Sequence, residues 1–262
     1  MLELTAETTI DLSCSALQHG YGLFETVRVA AGVPLLLELH LERLRDGLAA
    51  LDLPPPPDAD AVRRFAASRV VPPGADGALK LVAADGRLMA WFGRPPRSIR
   101  NPATLLVFDQ WRRHAGSPLS RHKTMSYLEN MRLIQAARRA GADEAVGLNT
   151  AGRLGDGSRT TLYVVRRGEV LTPRAADGAL PGIVRRVLLE AGLAREAALT
   201  PRDLAGADAV FLSNALLGIV TVSRILGMDR PLPAHAAIRS ARRTLAARWQ
   251  NDIGRHGRLA SC

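Results

Sequence analysis

Lys80 and Lys123 are the two lysines of a chain that holds 33 arginines. Wherever a surface cation suffices the sequence uses Arg, so a retained lysine points to chemistry that Arg cannot do. A guanidinium stays protonated, whereas a desolvated Lys amine loses its proton and can attack a carbonyl carbon to form a Schiff base. Lys123 lies in the run Ser120-Arg121-His122-Lys123-Thr124-Met125-Ser126-Tyr127-Leu128-Glu129-Asn130.

The elements that must position this run follow from periodicity. Residues 21–29 read as a strand, and Ala31-Gly32-Val33-Pro34 turns it toward Leu35-Leu36-Leu37. Leu37, Leu41, Leu44, Leu48 and Leu51 recur at spacings of three and four, with Glu38, Glu42, Arg43, Arg45 and Asp46 on the other faces, which predicts an amphipathic helix. Prolines at 54–57 end it before a second helix near Asp58, and 78–83 and 88–92 read as strands. The proline- and charge-rich run from Gly93 to Pro102 reads as a boundary. It predicts a small N-terminal α/β domain at 1–93, a linker at 94–102 and a larger C-terminal domain at 103–262. A strand at 103–108 then leads to the Lys123 run, and apolar residues at 128, 131, 134 and 137 predict a helix stopped by Gly141. Short strands follow in meander-like order at 144–148, 161–165 and 170–171, then a helix near Val187 and strands at 209–213 and 219–225. A last helix carries Ile238, Ala241, Leu245, Trp249 and Ile253 on one face. This mixture without a strict βαβ rhythm predicts an α+β fold.

Composition excludes several classes. With 47% hydrophobic and 23% charged residues the chain is globular, neither disordered nor fibrous. The start Met1-Leu2-Glu3 is acidic where a signal peptide is positive, and no apolar run reaches membrane-span length, so a cytoplasmic protein without a membrane partner is expected. Cys14 and Cys262 fit neither a disulfide framework nor metal-ligand spacing and are expected to be free thiols. The six histidines lack the paired spacing of a zinc helix, so no metal is expected. Ser120-x-x-Lys123 has the form of a serine-nucleophile signature, but no Lys-Thr-Gly element follows it. A net charge of +10 calls for an anionic partner. Because the Arg pairs are scattered and aromatics make up only 4%, a small anionic ligand is favoured over nucleic acid.

Several runs together carry a resemblance: His19-Gly20-Tyr21-Gly22-Leu23-Phe24-Glu25-Thr26-Val27-Arg28, Glu38-Leu39-His40-Leu41-Glu42-Arg43-Leu44 and His122-Lys123-Thr124-x-Ser126-Tyr127-Leu128. They continue through Gly141-Ala142-Asp143-Glu144-Ala145, Leu180-Pro181-Gly182-Ile183 and Phe211-Leu212-Ser213-Asn214-Ala215-Leu216. In this order, over roughly residues 18 to 226, the chain resembles the class IV aminotransferases, the fold-type-IV pyridoxal-phosphate enzymes. Within that family the Lys-Thr-x-Ser-Tyr-Leu-x-Asn run and the Asn-Ala-Leu element look most like the aminodeoxychorismate lyases.

The resemblance implies a two-domain D-amino acid aminotransferase-like fold, a cofactor between the domains and a homodimer. It implies pyridoxal 5'-phosphate as cofactor, with Lys123 as the Schiff-base lysine and base, and Arg43 as a phosphate ligand. Ile183 and Val184 match the phosphate loop at a helix start, where free N–H groups and the helix dipole hold an anion, and Asn214-Ala215 matches a second phosphate-side turn. Asp156 falls where the family has Glu, the partner of the pyridine nitrogen; it has the same charge and a shorter reach. Thr161 replaces a usual Asn, and Tyr21 stands where Asp is common. An Arg-rich substrate loop is reduced to Ala84-Asp85-Gly86-Arg87, which leaves Tyr21, Arg28, Arg87 and Arg94 as substrate candidates. The implied activity is conversion of 4-amino-4-deoxychorismate to 4-aminobenzoate and pyruvate. The alternatives are a transaminase for D-amino or branched-chain amino acids, and a non-catalytic basic binding protein.

Overall fold

In the computed structural model, which describes residues 1–6, 9–95, 99–228 and 231–257, the chain divides into two units. Unit 1 holds Met1–Pro96, His122–Ser126 and Ala246–Cys262; unit 2 holds Arg97–Arg121 and Tyr127–Leu245.

Unit 1 begins with β1 (Glu3–Thr5), α1 (Ser15–His19), β2 (Leu23–Ala30) and β3 (Val33–Pro34). Next come α2 (Leu37–Ala50), α3 (Ala59–Arg69), β4 (Gly77–Ala84) and β5 (Arg87–Gly93). The five strands lie in the order β1-β5-β4-β2-β3. Ala31 and Gly32 both have positive φ, which lets β2 reverse into β3 through a two-residue turn. The leucine period forms α2 as expected, and Leu37, Leu41, Leu44 and Leu48 are buried with Leu23, Val27 and Val29 of β2 and Leu79 and Leu81 of β4. Each such leucine taken from water contributes about 2 kcal/mol. α3 starts where Asp58 caps it, its side chain accepting a hydrogen bond from the Ala61 N–H.

Unit 2 contains β6 (Ala103–Arg113), α4 (Pro118–Arg121), α5 (Leu128–Arg139), β7 (Glu144–Asn149), β8 (Leu154–Gly157) and β9 (Thr161–Arg166). It continues with β10 (Glu169–Pro173), α6 (Ile183–Glu190), β11 (Arg195–Ala197), α7 (Pro201–Ala205), β12 (Ala209–Asn214) and β13 (Gly218–Ile225). The last helix, α8 (Ala236–His256), is divided between the units after Leu245. The eight strands follow the order β11-β10-β9-β12-β13-β6-β7-β8. Pairing is antiparallel from β10 to β13 and parallel for β13 with β6 and β6 with β7, so the sheet is mixed; of the meander expected at 144–171, β9 and β10 pair antiparallel while β7 pairs instead with β6 and β8. The class is α+β.

Three sequence expectations are corrected. The 103–262 block is not one unit, because Lys123 and Met125 pair by backbone with Phe24 and Gly22 and so belong to unit 1. The 94–102 stretch is not a plain spacer: Ile99 is buried in the unit 2 core, and Arg100 pairs with Asp143 at 2.6 Å. Helix α5 buries Leu133 and Ala137, while Leu128 and Met131 are 74% and 43% exposed, so its inward face is rotated from the predicted one. Arg94 is exposed just beyond β5, Cys14 is a buried free thiol, and Cys262 lies outside the described residues.

Candidate active site

Lys123 is held by strand-like pairing. Its carbonyl accepts the Phe24 N–H at 2.9 Å, the Met125 N–H donates to the Gly22 carbonyl at 2.8 Å, and Thr124 bridges Leu23. Gly22 itself packs against the end of β4, where a Cβ would stand 2.9 Å from the Ala83 carbonyl oxygen. The side chain turns to the Phe24 ring, with Nζ 4.3 Å from the centroid. Lys80 Nζ lies 3.5 Å from the same centroid.

One residue along β2, Glu25 is buried at 1% exposure and accepts three charge-assisted bonds. These come from His40 Nδ1 at 2.6 Å, Arg43 Nε at 2.8 Å and Arg43 Nη2 at 2.6 Å. Burial alone raises the Glu25 pKa, but the charges and hydrogen bonds of Arg43 and His40 outweigh it and bring the value down to about 2. His40 is pulled down, chiefly by burial and against the pull of Glu25, with Arg43 and Lys123 adding to the lowering. A neutral ring whose Nδ1–H donates to Glu25 has an acceptor at Nε2, and that buried atom meets no hydrogen-bond partner among the described residues. Sequence reasoning assigned Arg43 to a phosphate; the structure commits two nitrogens of its fork to Glu25, to which no role had been given. Helix α2 has Leu36 as its N-cap, whose N–H donates to Asp252 of α8 at 2.6 Å.

The substrate candidates of unit 1 are scattered. The Tyr21 hydroxyl donates to the Leu51 carbonyl at 2.6 Å, and the Arg28 guanidinium stacks on Trp249 at 4.8 Å. Arg87 is exposed at the start of β5, and Arg94 is exposed beyond its end. The shortened loop is a two-residue hairpin turn, with Asp85 and Gly86 both at positive φ, and Asp85 accepts hydrogen bonds from the Ser15 N–H and hydroxyl.

In unit 2, Asp156 lies buried on β8 and accepts the Leu180 N–H. Leu180 leads to Gly182, the N-cap of α6, where no side chain caps the first turn, so the N–H groups around Ile183 and Val184 point out of the helix end. Gly182 is required by space, because a Cβ would stand 2.6 Å from Thr161 Oγ1. Asn214 folds its own turn, its Oδ1 accepting the Leu216 and Leu217 N–H groups at 3.0 and 2.7 Å, and Ala215 rides on that turn. Unit 2 therefore gathers Asp156, Thr161, Ile183 and Val184 in one region, with Asn214 tied to it by donating to the Arg159 carbonyl at 3.3 Å.

Sequence reasoning missed the clamp on this region. The Tyr127 hydroxyl and Asn130 Nδ2 donate to the Ser158 carbonyl at 3.0 and 2.7 Å. Glu144, itself buried, accepts the Ser158 N–H at 3.0 Å, the Ser158 hydroxyl, and the Thr160 hydroxyl at 3.0 Å. Burial, with Glu144 adding to it, pushes the Tyr127 hydroxyl up to about 12, so it stays a donor at physiological pH. The signal lay in the Tyr-Leu-x-Asn spacing, which sets Tyr127 and Asn130 three apart at the start of α5. Among the described residues no group of three or more His, Cys, Asp or Glu side chains could hold a metal ion, and no helix is long and apolar enough to cross a membrane.

Comparisons with known proteins bear on the family and the fold. The chain is 28% identical over 245 residues to a bifunctional aminodeoxychorismate lyase / D-amino acid transaminase of Mycobacterium tuberculosis, covering 81% of this chain and 84% of the relative. A Legionella pneumophila structure provisionally assigned as a 4-amino-4-deoxychorismate lyase superposes with a TM-score of 0.81 at 25% identity, covering 94% and 99% of the two chains. The branched-chain aminotransferase of Thermoproteus uzoniensis shares the fold, with a TM-score of 0.80 at 23% identity over 95% of this chain and 93% of that one. The model of the family amino-transferase class IV matches residues 22–225, and the chain belongs to that family of enzymes.

Proposed function

We propose that this enzyme uses pyridoxal phosphate to convert 4-amino-4-deoxychorismate to 4-aminobenzoate and pyruvate. The observation that carries the reading is Lys123, one of two lysines, fixed by backbone pairing beside Phe24 and next to the buried Glu25–His40–Arg43 cluster. Taken unit by unit, the chemistry of the residues suits the cofactor: in unit 1 the Lys123 amine would take its aldehyde, and in unit 2 the N-terminus of α6 would take its phosphate and the buried Asp156 carboxylate its pyridine nitrogen. His40 Nε2, which has no hydrogen-bond partner among the described residues, is a further polar atom in the lysine's surroundings. When bound, the cofactor withdraws electrons from the substrate carbon that bears the amine.

Lys123 Nζ then takes the proton from that carbon. The ring C–O bond to the enolpyruvyl group breaks, a proton reaches its methylene carbon to release pyruvate, and the ring becomes aromatic, with no other reactant consumed. Asp156 would keep the cofactor's ring nitrogen protonated, and the Ser158 clamp of Tyr127, Asn130 and Glu144 holds the turn after it. Tyr21, Arg28, Arg87 and Arg94 stay the candidates for contact with the substrate carboxylates, and the functional unit is a homodimer on the same reading.

A second reading, transamination of D-amino or branched-chain amino acids, is favoured by the bifunctional relative and uses the same Lys123. Ala215, without a hydroxyl on the phosphate-side turn, favours the lyase. The test is pyruvate release from aminodeoxychorismate with no amino acceptor present, alongside the visible absorbance of bound pyridoxal phosphate. Wild type and Lys80→Ala should show that absorbance and Lys123→Ala should not. A strict need for a 2-oxo acid acceptor would sink the lyase reading. No absorbance change and no dependence on Lys123 would leave the non-catalytic basic protein.

A further inference from the structure

Both lysines of this chain reach one aromatic ring. Lys80 sits in the middle of β4, opposite Thr26 of β2 and Trp91 of β5, while Lys123 comes from the segment paired along the start of β2. Their Nζ atoms are 3.5 and 4.3 Å from the Phe24 centroid, so they can be no further apart than the sum of those distances. The Lys80 ammonium is half-buried, and among the described residues it makes no hydrogen bond or salt bridge. Burial draws its pKa down to about 8 against an upward pull from Glu25.

The charges that face Lys123 within this unit come from three elements besides its own. β2 offers Glu25, whose carboxylate is already shared by Arg43 and His40. α2 offers His40, whose pKa Lys123 helps to lower, and β4 offers Lys80.

We propose that Lys80 is a positioning residue that acts through Lys123: its ammonium, held on the ring that both lysines share, opposes protonation of the Lys123 amine and keeps that amine available as nucleophile and base. Two like charges at this separation in a partly buried site shift a titration by about one unit, roughly tenfold in the fraction of free amine. Arginine at position 80 would supply the same charge, which distinguishes this role from one that needs a lysine's own reactivity.

The inference rests on Lys123 being the reacting amine, and the experiment reads the amines directly. With two lysines in the chain, trace acetylation by acetic anhydride across neutral and alkaline pH, read by peptide mass spectrometry on the cofactor-stripped full chain, gives each lysine its own titration curve. Lys80→Met is expected to lower Lys123 labelling at neutral pH about tenfold, and Lys80→Arg to leave it within about twofold. Should Lys80→Met fail to fold, Lys80→Gln removes the charge with a polar tip on the ring and is read in the same way. An unchanged Lys123 curve in the uncharged variant, or the same loss in Lys80→Arg, overturns the proposal. So does a rise in KM alone with the curve unmoved, which would make Lys80 a substrate contact. Failure of the cofactor reading itself shows separately, as wild-type protein that takes up no pyridoxal phosphate.

Discussion

Replacing Glu25 with Gln tests whether the buried carboxylate is what holds Arg43 and His40 in place. The wild-type side chain accepts bonds of 2.6 to 2.8 Å from both partners, and only 11% of the Arg43 side chain is exposed. Gln keeps one acceptor oxygen but turns an N–H₂ donor toward a guanidinium or an imidazole N–H, leaving a cation buried without its counter-charge. Breaking a buried pair in this way costs about 3–5 kcal/mol. Linkage gives an independent figure: lowering the carboxyl from 4.5 to about 2 corresponds to about 3 kcal/mol. Because the folded value is depressed, this stability is fully present above pH 4.5 and is lost as pH falls through about 2. Urea denaturation followed by far-UV circular dichroism, at neutral pH and at steps down through that window, measures both effects. Glu38, Asp177 and Glu196 also have lowered values, so the informative quantity is the difference between wild type and Glu25→Gln. That difference should be about 3 kcal/mol at neutral pH and shrink as the medium is acidified. A neutral-pH loss under about 1 kcal/mol, or a difference that does not change with pH, refutes the reasoning.

Two further changes probe the supports. Gly182→Ala places a Cβ against the buried Thr161 hydroxyl and should cost about 1–3 kcal/mol of stability and weaken uptake of pyridoxal phosphate, with Gly182→Ala/Thr161→Ala recovering most of both by denaturation and absorbance titration. Asp252→Ala removes the acceptor of the Leu36 N–H at the start of α2, where Leu36 holds a φ of 54°, and should cost about 1 kcal/mol in urea denaturation; an unchanged midpoint would mean that the carboxylate adds nothing to this helix end.

How far the sequence could be read depended on whether a feature was local. Helix α2 was legible because a leucine at every third or fourth position has no other stable way to be buried, and α3 because Asp58 follows four prolines. The α5 face was misread because Leu128, Met131 and Ile134 fit a helical stripe as well as Leu133 and Ala137 do, and only tertiary contact selects between stripes. Strand β8 escaped notice because Leu-Gly-Asp-Gly has no alternation of bulk; Gly157 is there because a Cβ would overlap the Thr160 hydroxyl and crowd Glu144. The division into units was beyond any local pattern, since the bonds that bring Lys123 to Phe24 join residues a hundred positions apart.

The adjacent pair Phe24-Glu25 could have been read further than it was. In β2 the residues Leu23, Glu25, Val27 and Val29 share one side, and a carboxylate among three buried hydrophobes demands hydrogen-bond donors and a counter-charge. His40 and Arg43, three apart on the helix that covers that side, are the residues that can supply them. Phe24 necessarily faces the other way, and there it meets the two lysines. A strand that slipped by one residue would exchange these roles, burying the ring against Arg43 and turning the carboxylate toward Lys123, where it would favour the protonated amine. The register of β2 against β4, fixed by seven consecutive pairs from Leu23–Ala83 to Val29–Gly77, thus places the anion with Arg43 and His40 and leaves both lysines the uncharged Phe24 ring.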